Sequence, residues 1–280
     1  MVRPAAAGVW TTFLAHEVVR HALGRARAVR DLHPVGEVGS TQDIALELAR
    51  GDAVSGTLVV ADRQTAGRGR AGRRWDDHPD GGTLALTVLL DAGGLPRADL
   101  VPHAFGLGML DAFAAVLPTP TDVRLKWPND LVHRGDDGAA RKLCGILVER
   151  ERAGARDVLL CGVGVDVDLR ATDVPADRTC LTTLGGAPPE RERLLAAIVT
   201  GIDEALALLA DPVGLLERYR AVSDTIGREV RVETAAGAPI VGLASDVDEH
   251  GRLVVTTPEG RHAILSGTVR DAEQPKGNTS

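Results

Sequence analysis

The stretch QTAGRGRAGRRW at residues 64–75 decides how the rest of the sequence is interpreted. Four arginines and three glycines occupy positions 67–74 of it. Glycines let a backbone close around a ligand, and arginine guanidinium groups donate paired hydrogen bonds to carboxylates and phosphates. Because a β-rich run, Thr57–Ala61, precedes it, the stretch predicts an anion-binding loop after a strand. A solvated basic loop is the alternative that the stretch alone leaves open.

The same loop matches the spacing of the dinucleotide-binding fingerprint through Gly67, Gly69 and Gly72. That fingerprint requires a helix directly after the glycines, whereas residues 76–82 are rich in Asp, Pro and Gly and do not favour one. We therefore do not interpret the match as a nicotinamide site. Because its charges repel and no apolar residue is expected to hold it, the loop is predicted to be mobile without a ligand.

Composition limits the classes of protein that the chain can belong to. Its 280 residues are 44% apolar, and they contain no apolar run near the roughly 18 residues that span a bilayer. A net charge of −7 argues against a general nucleic-acid binder, so any positive site is local. The three cysteines show no spacing typical of metal sites or a disulfide framework, and we expect a cytoplasmic protein without a membrane partner.

Lysine is rare in this chain: 32 basic residues include only Lys126, Lys142 and Lys276. Where arginine serves as the general cation, a lysine indicates a place that needs a compact ammonium group. Lys142 begins the apolar run Leu143–Glu149 and is predicted to point into a cleft. A strand-edge lysine that protects solubility is the ordinary alternative.

Hydrophobic periodicity predicts an α+β fold with a mixed sheet covered by helices. Strands and helices alternate without regular βαβ spacing, which argues against a doubly wound sheet. The predicted helices are Thr11–Arg27, a segment capped at Ser40 or Thr41, His103–Leu117 and Glu190–Leu209. The predicted strands are Val35–Val38, Thr57–Ala61, Thr83–Leu90, Val123–Lys126, Leu143–Glu149 and Val158–Val167.

From about Gly227 the sequence pattern changes to short β-rich runs joined by tight turns. These runs, Glu229–Glu233, Pro239–Val247, Leu253–Thr257 and His262–Leu265, predict a small β-barrel. We divide the chain into a main domain over residues 1–225, a barrel over 226–270 and a disordered tail over 271–280.

Two further segments carry unusual residue types. Residues 126–130, Lys-Trp-Pro-Asn-Asp, combine a rigid aromatic wall with three kinds of polar group, and a plain turn between strands is an equal alternative. Residues 162–167, Gly-Val-Gly-Val-Asp-Val, place glycines inside a strand. Such glycines mark a close approach by a ligand or, more often, by packing neighbours.

Taken together and in this order, these segments resemble the biotin protein ligases over most of the chain. The resemblance implies a catalytic domain related to class II aminoacyl-tRNA synthetases and lipoate ligases, followed by an SH3-like barrel. It rests on the following segments: Ser40-Thr41-Gln42, the Gly67–Arg73 loop, Lys126–Asp130, Lys142–Glu149 and the Gly162–Val167 strand.

The resemblance implies a reaction in two steps. Biotin and ATP give biotinyl-5′-AMP and pyrophosphate, and a lysine of a biotin carboxyl carrier domain of an acyl-CoA carboxylase then takes the biotinyl group. Mg²⁺ is expected to bridge the phosphates of ATP, and no residue is firmly assigned to it. The sequence leaves the oligomeric state open, a homodimer included.

The resemblance also implies roles for individual residues. Lys142 and Arg70 are the expected catalytic residues, and the expected adenylate loop includes Gly67, Gly72 and Arg73. The expected biotin contacts are Ser40, Thr41, Gln42, Gln64, Arg68, Gly69, Arg70 and Lys142. Lys126, Trp127, Asn129, Asp130 and Asp166 are assigned to the nucleotide.

Two positions depart from the family pattern, which commonly has Asn where this chain has Gln42 and Asp166. An acid near the nucleotide repels phosphate unless it binds Mg²⁺ or faces a hydrogen-bond donor. Cys144 stands where a small residue is expected, and we assign it to packing.

Only 39 residues precede Ser40, whereas a winged-helix DNA-binding domain needs roughly 60. The sequence therefore predicts a monofunctional ligase that does not bind DNA. Three alternatives remain: a lipoate protein ligase, a nicotinamide-dependent oxidoreductase, and a biotin sensor that has lost chemistry through Asp166.

Overall fold

The computed structural model describes residues 16–78, 82–119, 121–169, 174–235 and 237–272. Its helices are α1 (Glu17–Arg25), α2 (Thr41–Arg50), α3 (Val101–Val116), α4 (Leu181–Gly185), α5 (Arg191–Ala207) and α6 (Pro212–Ala221). Strands of the main domain are β1 (Asp31–Val38), β2 (Thr57–Gln64), β3 (Thr83–Asp91), β4 (Val123–Lys126), β5 (Asp130–Arg134), β6 (Ala140–Ala153) and β7 (Arg156–Asp166). The C-terminal strands are β8 (Glu229–Glu233), β9 (Ile240–Val247), β10 (Leu253–Thr257), β11 (Gly260–Ile264) and β12 (Thr268–Asp271).

A seven-stranded sheet forms the centre of the main domain, in the order β1-β2-β3-β7-β6-β5-β4. Strands β1 and β2 are parallel, and every other neighbouring pair is antiparallel. The sheet is therefore mixed, and the predicted α+β class is confirmed.

Each face of this sheet is covered by different helices, as alternation along β2 shows. Leu58 and Val60 belong to the large core formed with α3 and α5, whereas Val59 and Ala61 pack under α2. The same period of two places Gly162, Gly164 and Asp166 of β7 on the α2 side, because Cys161, Val163 and Val165 face the large core. This face of the sheet carries the candidate site.

Several element boundaries differ from the sequence-based prediction. Helix α1 begins at Glu17, and residues 11–15 of the predicted leading helix lie outside the described residues. Strand β5 was missed because its sequence, DLVHR, is short and polar at both ends, and it is held by pairing with β4 and β6 rather than by local propensity. Helix α6 was missed although Asp211 caps it and Pro212 stands at its first position, both of which favour the start of a helix.

One helical stretch among the described residues, Ala98–Val116, is long and apolar enough to cross a membrane by composition. It packs between the sheet and α5, with Phe105, Leu107 and Met109 fully buried. Its apolarity is therefore that of a core helix.

The C-terminal strands form a five-stranded antiparallel sheet in the order β11-β10-β9-β8-β12. Its edge strands, β11 and β12, are not paired with each other in the described residues, so the predicted small barrel is an open antiparallel sheet. Both edges have only four or five residues, and closure requires a continuous staggered ladder around the sheet. Strand β12 includes Asp271, the first residue of the predicted tail, and residues 273–280 lie outside the described residues.

Buried polar contacts join this sheet to the main domain. The indole Nε1 of Trp127 donates to the carbonyl of Gly251 at 3.0 Å, and Arg134 forms ion pairs with Asp224 and Asp271. His103 of α3 lies beneath Gly251 and packs edge-on against Tyr219 at 4.7 Å. A charged imidazole is unfavourable there, and burial lowers the pKa of His103 to about 4.

We predict that His103 makes the protein acid-sensitive. Because its pKa is lowered on folding, buried His103 stays neutral and does not reduce stability above pH 6.5. As the pH falls from 6.5 to 4, the unfolded chain takes up this proton more readily than the folded one, and the free energy of unfolding falls by about 3 kcal/mol in total. Chemical denaturation of the wild type and of His103→Gln at each pH measures the difference, with exposed His21→Gln as control. If the difference in free energy of unfolding between the wild type and His103→Gln stays constant from pH 7 to pH 4, the prediction is contradicted.

Candidate functional site

The floor of the site is a pair of facing glycines on adjacent strands. Gly145 of β6 and Gly164 of β7 are direct partners in the ladder. A Cβ on Gly145 would lie 2.9 Å from Lys142 Nζ, and one on Gly164 would collide with the ring of Trp75. These glycines therefore make room for a lysine and an indole above the sheet, and the predicted close approach at residues 162–167 is real.

A network of neutral polar groups lines one end of the cleft. Ser40 caps α2 by accepting from Gln42 N, and Thr41 donates through its main-chain N and Oγ1 to Gln64 Oε1 at 2.8 and 3.0 Å. Thr87 of β3 donates to Thr41 Oγ1 at 2.8 Å. Since these groups are almost fully buried, the network fixes which donors and acceptors this end presents.

Gln42 is tied to the sheet. Its Nε2 donates to the carbonyls of Leu147 and Leu160, at 2.9 and 3.2 Å. The side chain lies across Gly162, where a Cβ would come within 3.0 Å of Nε2. The extra methylene relative to Asn lets this residue anchor α2 to β6 and β7.

The glycine- and arginine-rich stretch folds over the cleft as a compact loop. It contains one short 3-10 turn, Arg70–Gly72, with Ala71 in the left-handed region at φ 55°. Residues 73–78, which the structure describes directly after this turn, form no helix, whereas the dinucleotide fingerprint places one there. Main-chain bonds close the loop, from Gly69 N to Arg73 O at 2.7 Å and from Trp75 N to Gly67 O at 3.0 Å.

Arginines of this loop contact four other parts of the chain. Arg68 pairs with Asp43 at 2.7 Å and with Glu149 at 3.5 Å. Arg70 donates to Asn129 Oδ1 at 3.2 Å and to Ser266 Oγ at 2.7 Å, so it links the loop to the C-terminal sheet. Burial lowers the pKa of Arg70, and the charge of Arg73 acts in the same direction.

Trp75 anchors the loop, contrary to the expectation that no apolar residue would hold it. Its side chain is buried against the two floor glycines. Two cations lie against its ring, Lys142 Nζ at 5.5 Å and Arg178 Cζ at 4.7 Å from the centroid. The expectation was wrong because sequence spacing does not show that Trp75 folds back onto a glycine floor.

Lys142 sits at the centre of the cleft, with Nζ 2.7 Å from Asp130 Oδ1. Asn129 is adjacent, and its Nδ2 donates to the carbonyl of Ile146 at 2.6 Å. Two other residues of segment 126–130 lie elsewhere. Lys126 borders a separate small pocket, and Trp127 is buried against the C-terminal sheet, so this geometry gives the indole a structural role.

Asp166 ends β7 and is completely buried. Arg178 clasps it, with Nε 2.9 Å from Oδ2 and Nη2 2.6 Å from Oδ1. Burial raises the pKa of Asp166 to about 6, although Arg178 and Lys142 oppose that rise. An acid at this position is tolerated if it binds Mg²⁺ or faces a hydrogen-bond donor. The structure shows the second case, with Arg178 as the donor.

A second acid, the half-buried Asp77, accepts from Gln64 N, and partial burial raises the pKa of its carboxyl to about 6. Sequence reasoning did not assign Asp77, Thr87, Arg178 or Ser266. Trp75 was noticed only as the end of the loop. Trp75 lines the cleft, and the other four contact lining residues through tertiary folding. A local signal existed only for Trp75, next to the arginines.

The expected site residues mostly converge on this one cleft. Its lining includes Ser40, Thr41, Gln42, Gln64, Arg68, Gly69, Arg70, Arg73, Asn129, Asp130 and Lys142. Among the described residues, no group of three or more His, Cys, Asp or Glu side chains could hold a metal ion. Cys144 is buried in the core below, as its assignment to packing requires.

Comparisons with known proteins agree with this arrangement. Residues 36–166 match the biotin/lipoate A/B protein ligase family, and residues 225–269 match the biotin protein ligase C-terminal domain. The chain is 34% identical over 255 residues to the biotin–[acetyl-CoA-carboxylase] ligase of Mycobacterium tuberculosis, covering 87% of this chain and 90% of that protein. It is 30% identical to the bifunctional ligase/repressor BirA of Bacillus spizizenii, covering 83% and 71%.

Among solved structures, the fold is similar to a biotin protein ligase from Aquifex aeolicus in complex with biotin and ATP. The TM-score is 0.73 at 29% sequence identity, and the match covers 87% of this chain and all of that one.

We predict that Gly164→Ala displaces the Trp75 ring, because the new methyl group occupies the position of the indole. Tryptophan emission should shift to longer wavelength, acrylamide quenching should rise, and stability should fall by about 1–3 kcal/mol. Gly94→Ala, where an added Cβ meets nothing within 4 Å, is the matched control. A folded Gly164→Ala variant with unchanged emission contradicts the placement of Trp75.

Proposed function

Since the chain belongs to the biotin protein ligase family, we propose that it joins biotin to ATP as biotinyl-5′-AMP and then transfers biotin to a lysine of a carboxyl carrier domain. In the first step a carboxylate oxygen of biotin attacks the α-phosphorus and pyrophosphate leaves. In the second, the amine of the acceptor lysine attacks the acyl carbon and AMP leaves.

One observation carries the assignment of the chemistry: Lys142 lines the same cleft as the neutral network and the arginine-rich loop, with Nζ 2.7 Å from Asp130 Oδ1. A carboxylate and a phosphate at bonding distance repel each other strongly outside water. A compact ammonium between them lowers that repulsion most in the transition state, where the two groups are closest. We assign this role to Lys142, and Asp130 holds the ammonium in position.

The two ends of the cleft suit the two substrates. Biotin's ureido ring is neutral and presents both donors and acceptors, which the buried groups of Ser40, Thr41 and Gln64 match. The cationic end suits the nucleotide. Arg68 and Arg70 would then close over the adenylate and keep water from the mixed anhydride, so that the loop acts as clamp and lid.

Mg²⁺ fits this cleft as an ion that enters with the phosphates. Asp130 and the amide oxygen of Asn129 are the oxygen ligands that the cleft offers it, and Mg²⁺ commonly binds through one or two carboxylates plus substrate phosphates. When bound, the ion supplies further neutralisation of phosphate charge. The residues described above orient the carboxylate and shield the product.

The natural partners are proposed from the ligase name of the relatives. A biotin carboxyl carrier domain is the expected acceptor, and the cytoplasm is the expected location, in keeping with three buried free cysteines. Residues 16–38 form α1 and β1 of the catalytic unit, whereas residues 1–15 lie outside the described residues. The absence of DNA binding and the oligomeric state therefore stay predictions.

The test of the proposal is pyrophosphate release from ATP and Mg²⁺ with biotin or with lipoate, followed by mass spectrometry of an added carrier domain. We expect release with biotin only, and a carrier mass raised by one biotinyl group. Release with lipoate alone would identify the lipoate ligase, and biotin binding without release would identify a sensor.

Variants separate the two catalytic roles. Lys142→Ala should lower adenylate formation by several orders of magnitude, about 10²–10³-fold or more, because one preorganised charge is lost. Arg68→Ala and Arg70→Ala should retain more adenylation but leak biotinyl-5′-AMP into solution, measured by chromatography of the filtered reaction. Exposed Arg150→Ala, whose only described partner is Asp157, serves as control. Near-normal adenylation by Lys142→Ala would refute its charge-neutralising role.

A further inference from the structure

Arg178 lies beside this cleft, against Asp166 and Trp75, and the mechanism above gives it no role. It approaches the completely buried Asp166 with both Nε and Nη2. Its own side chain is 15% exposed, so this is a buried, forked ion pair rather than a surface contact.

The segment that carries Arg178 is itself bonded to the strand of the catalytic lysine. Lys142 N donates to Asp177 O at 2.7 Å, and Thr179 N donates to Lys142 O at 2.9 Å. Residues 177–179 thus run as a short parallel addition beside Lys142. The position of Arg178 and that of the Lys142 backbone are therefore set together.

The guanidinium of Arg178 also lies 4.7 Å from the centre of the Trp75 ring. Trp75 ends the glycine- and arginine-rich loop and rests on Gly164, two residues before Asp166. Arg178 consequently contacts both the buried Asp166 at the end of β7 and the anchor of the loop at Trp75.

We propose that Arg178 is a positioning residue for the nucleotide: it cancels the charge of Asp166 beside the cleft and holds Trp75, and through it the loop, in place. This inference rests on the proposed adenylation. An uncompensated carboxylate beside Lys142 would compete with the phosphates for the ammonium and repel them. Arg178 removes this repulsion by pairing with the carboxylate of Asp166. The neutral groups assigned to biotin are not affected by that charge.

Loss of Arg178 should change KM for ATP and KM for biotin to different extents. Loss of a purely structural ion pair would change both alike. Loss of Arg178 acts on the charged substrate, so KM for ATP should rise about tenfold or more while KM for biotin changes by less than about threefold. Removing the acid as well should reverse most of the rise in KM for ATP, because the charge that Arg178 cancels is then gone.

The experiment compares Arg178→Gln, Asp166→Asn and the double variant in biotin-dependent pyrophosphate release, with Arg150→Gln as a matched control from the exposed Arg150–Asp157 pair. We expect the double variant to recover a KM for ATP within about threefold of the wild type. Tryptophan emission should shift in Arg178→Gln and not in the control, because Trp75 loses its guanidinium contact.

Two results would overturn the inference: an unchanged KM for ATP in folded Arg178→Gln, or a double variant no better than the single one. If Arg178→Gln does not fold, Asp166→Asn and the double variant decide, since KM for ATP should depend little on Arg178 once the acid is gone. A wild type without biotin-dependent release refutes the proposed function instead. In that case the shift in Trp75 emission still tests the contact of Arg178 with Trp75.

Discussion

Repulsion between two anions is the constraint on which this cleft depends. A carboxylate and a triphosphate must meet at bonding distance, and neither can be neutralised by protonation near neutral pH. The chain concentrates cations at one point of a slightly acidic protein and positions them with nearby acids, Lys142 by Asp130 and Arg178 by Asp166. Two glycines clear the space in which these groups and Trp75 meet.

The mixed sheet explains why the parts of the site come from distant segments. Strands β6 and β7 are neighbours, so Gly145 and Gly164 face each other, and α2 delivers its capped end above them. On the opposite face, α3 and α5 bury the large core and keep the floor rigid. The C-terminal sheet completes the arrangement, because Ser266 accepts a hydrogen bond from Arg70 and Gly251 receives the indole of Trp127.

Sequence reasoning recovered the fold class, the loop, the predicted strand glycines and the position of Lys142 in a cleft, because each has a local signal in residue type or period. It failed where tertiary contacts decide. Trp75 was not expected to pin the loop, the C-terminal strands do not close a barrel, and the acid at Asp166 was understood only when its partner, twelve residues away, became visible. Arg178 itself lies in a stretch whose composition indicates nothing unusual.

The most direct test of the central claim is a single-turnover measurement that separates the two steps in wild type and Lys142→Ala. Adenylate formation is followed from biotin and ATP, and transfer is followed after supplying biotinyl-5′-AMP to the enzyme with a carrier domain. If Lys142 serves to bring two anions together, adenylation collapses while transfer from the supplied adenylate stays within about tenfold of the wild type. An equal loss in both steps would show that Lys142 supports the cleft in general, and would contradict the account.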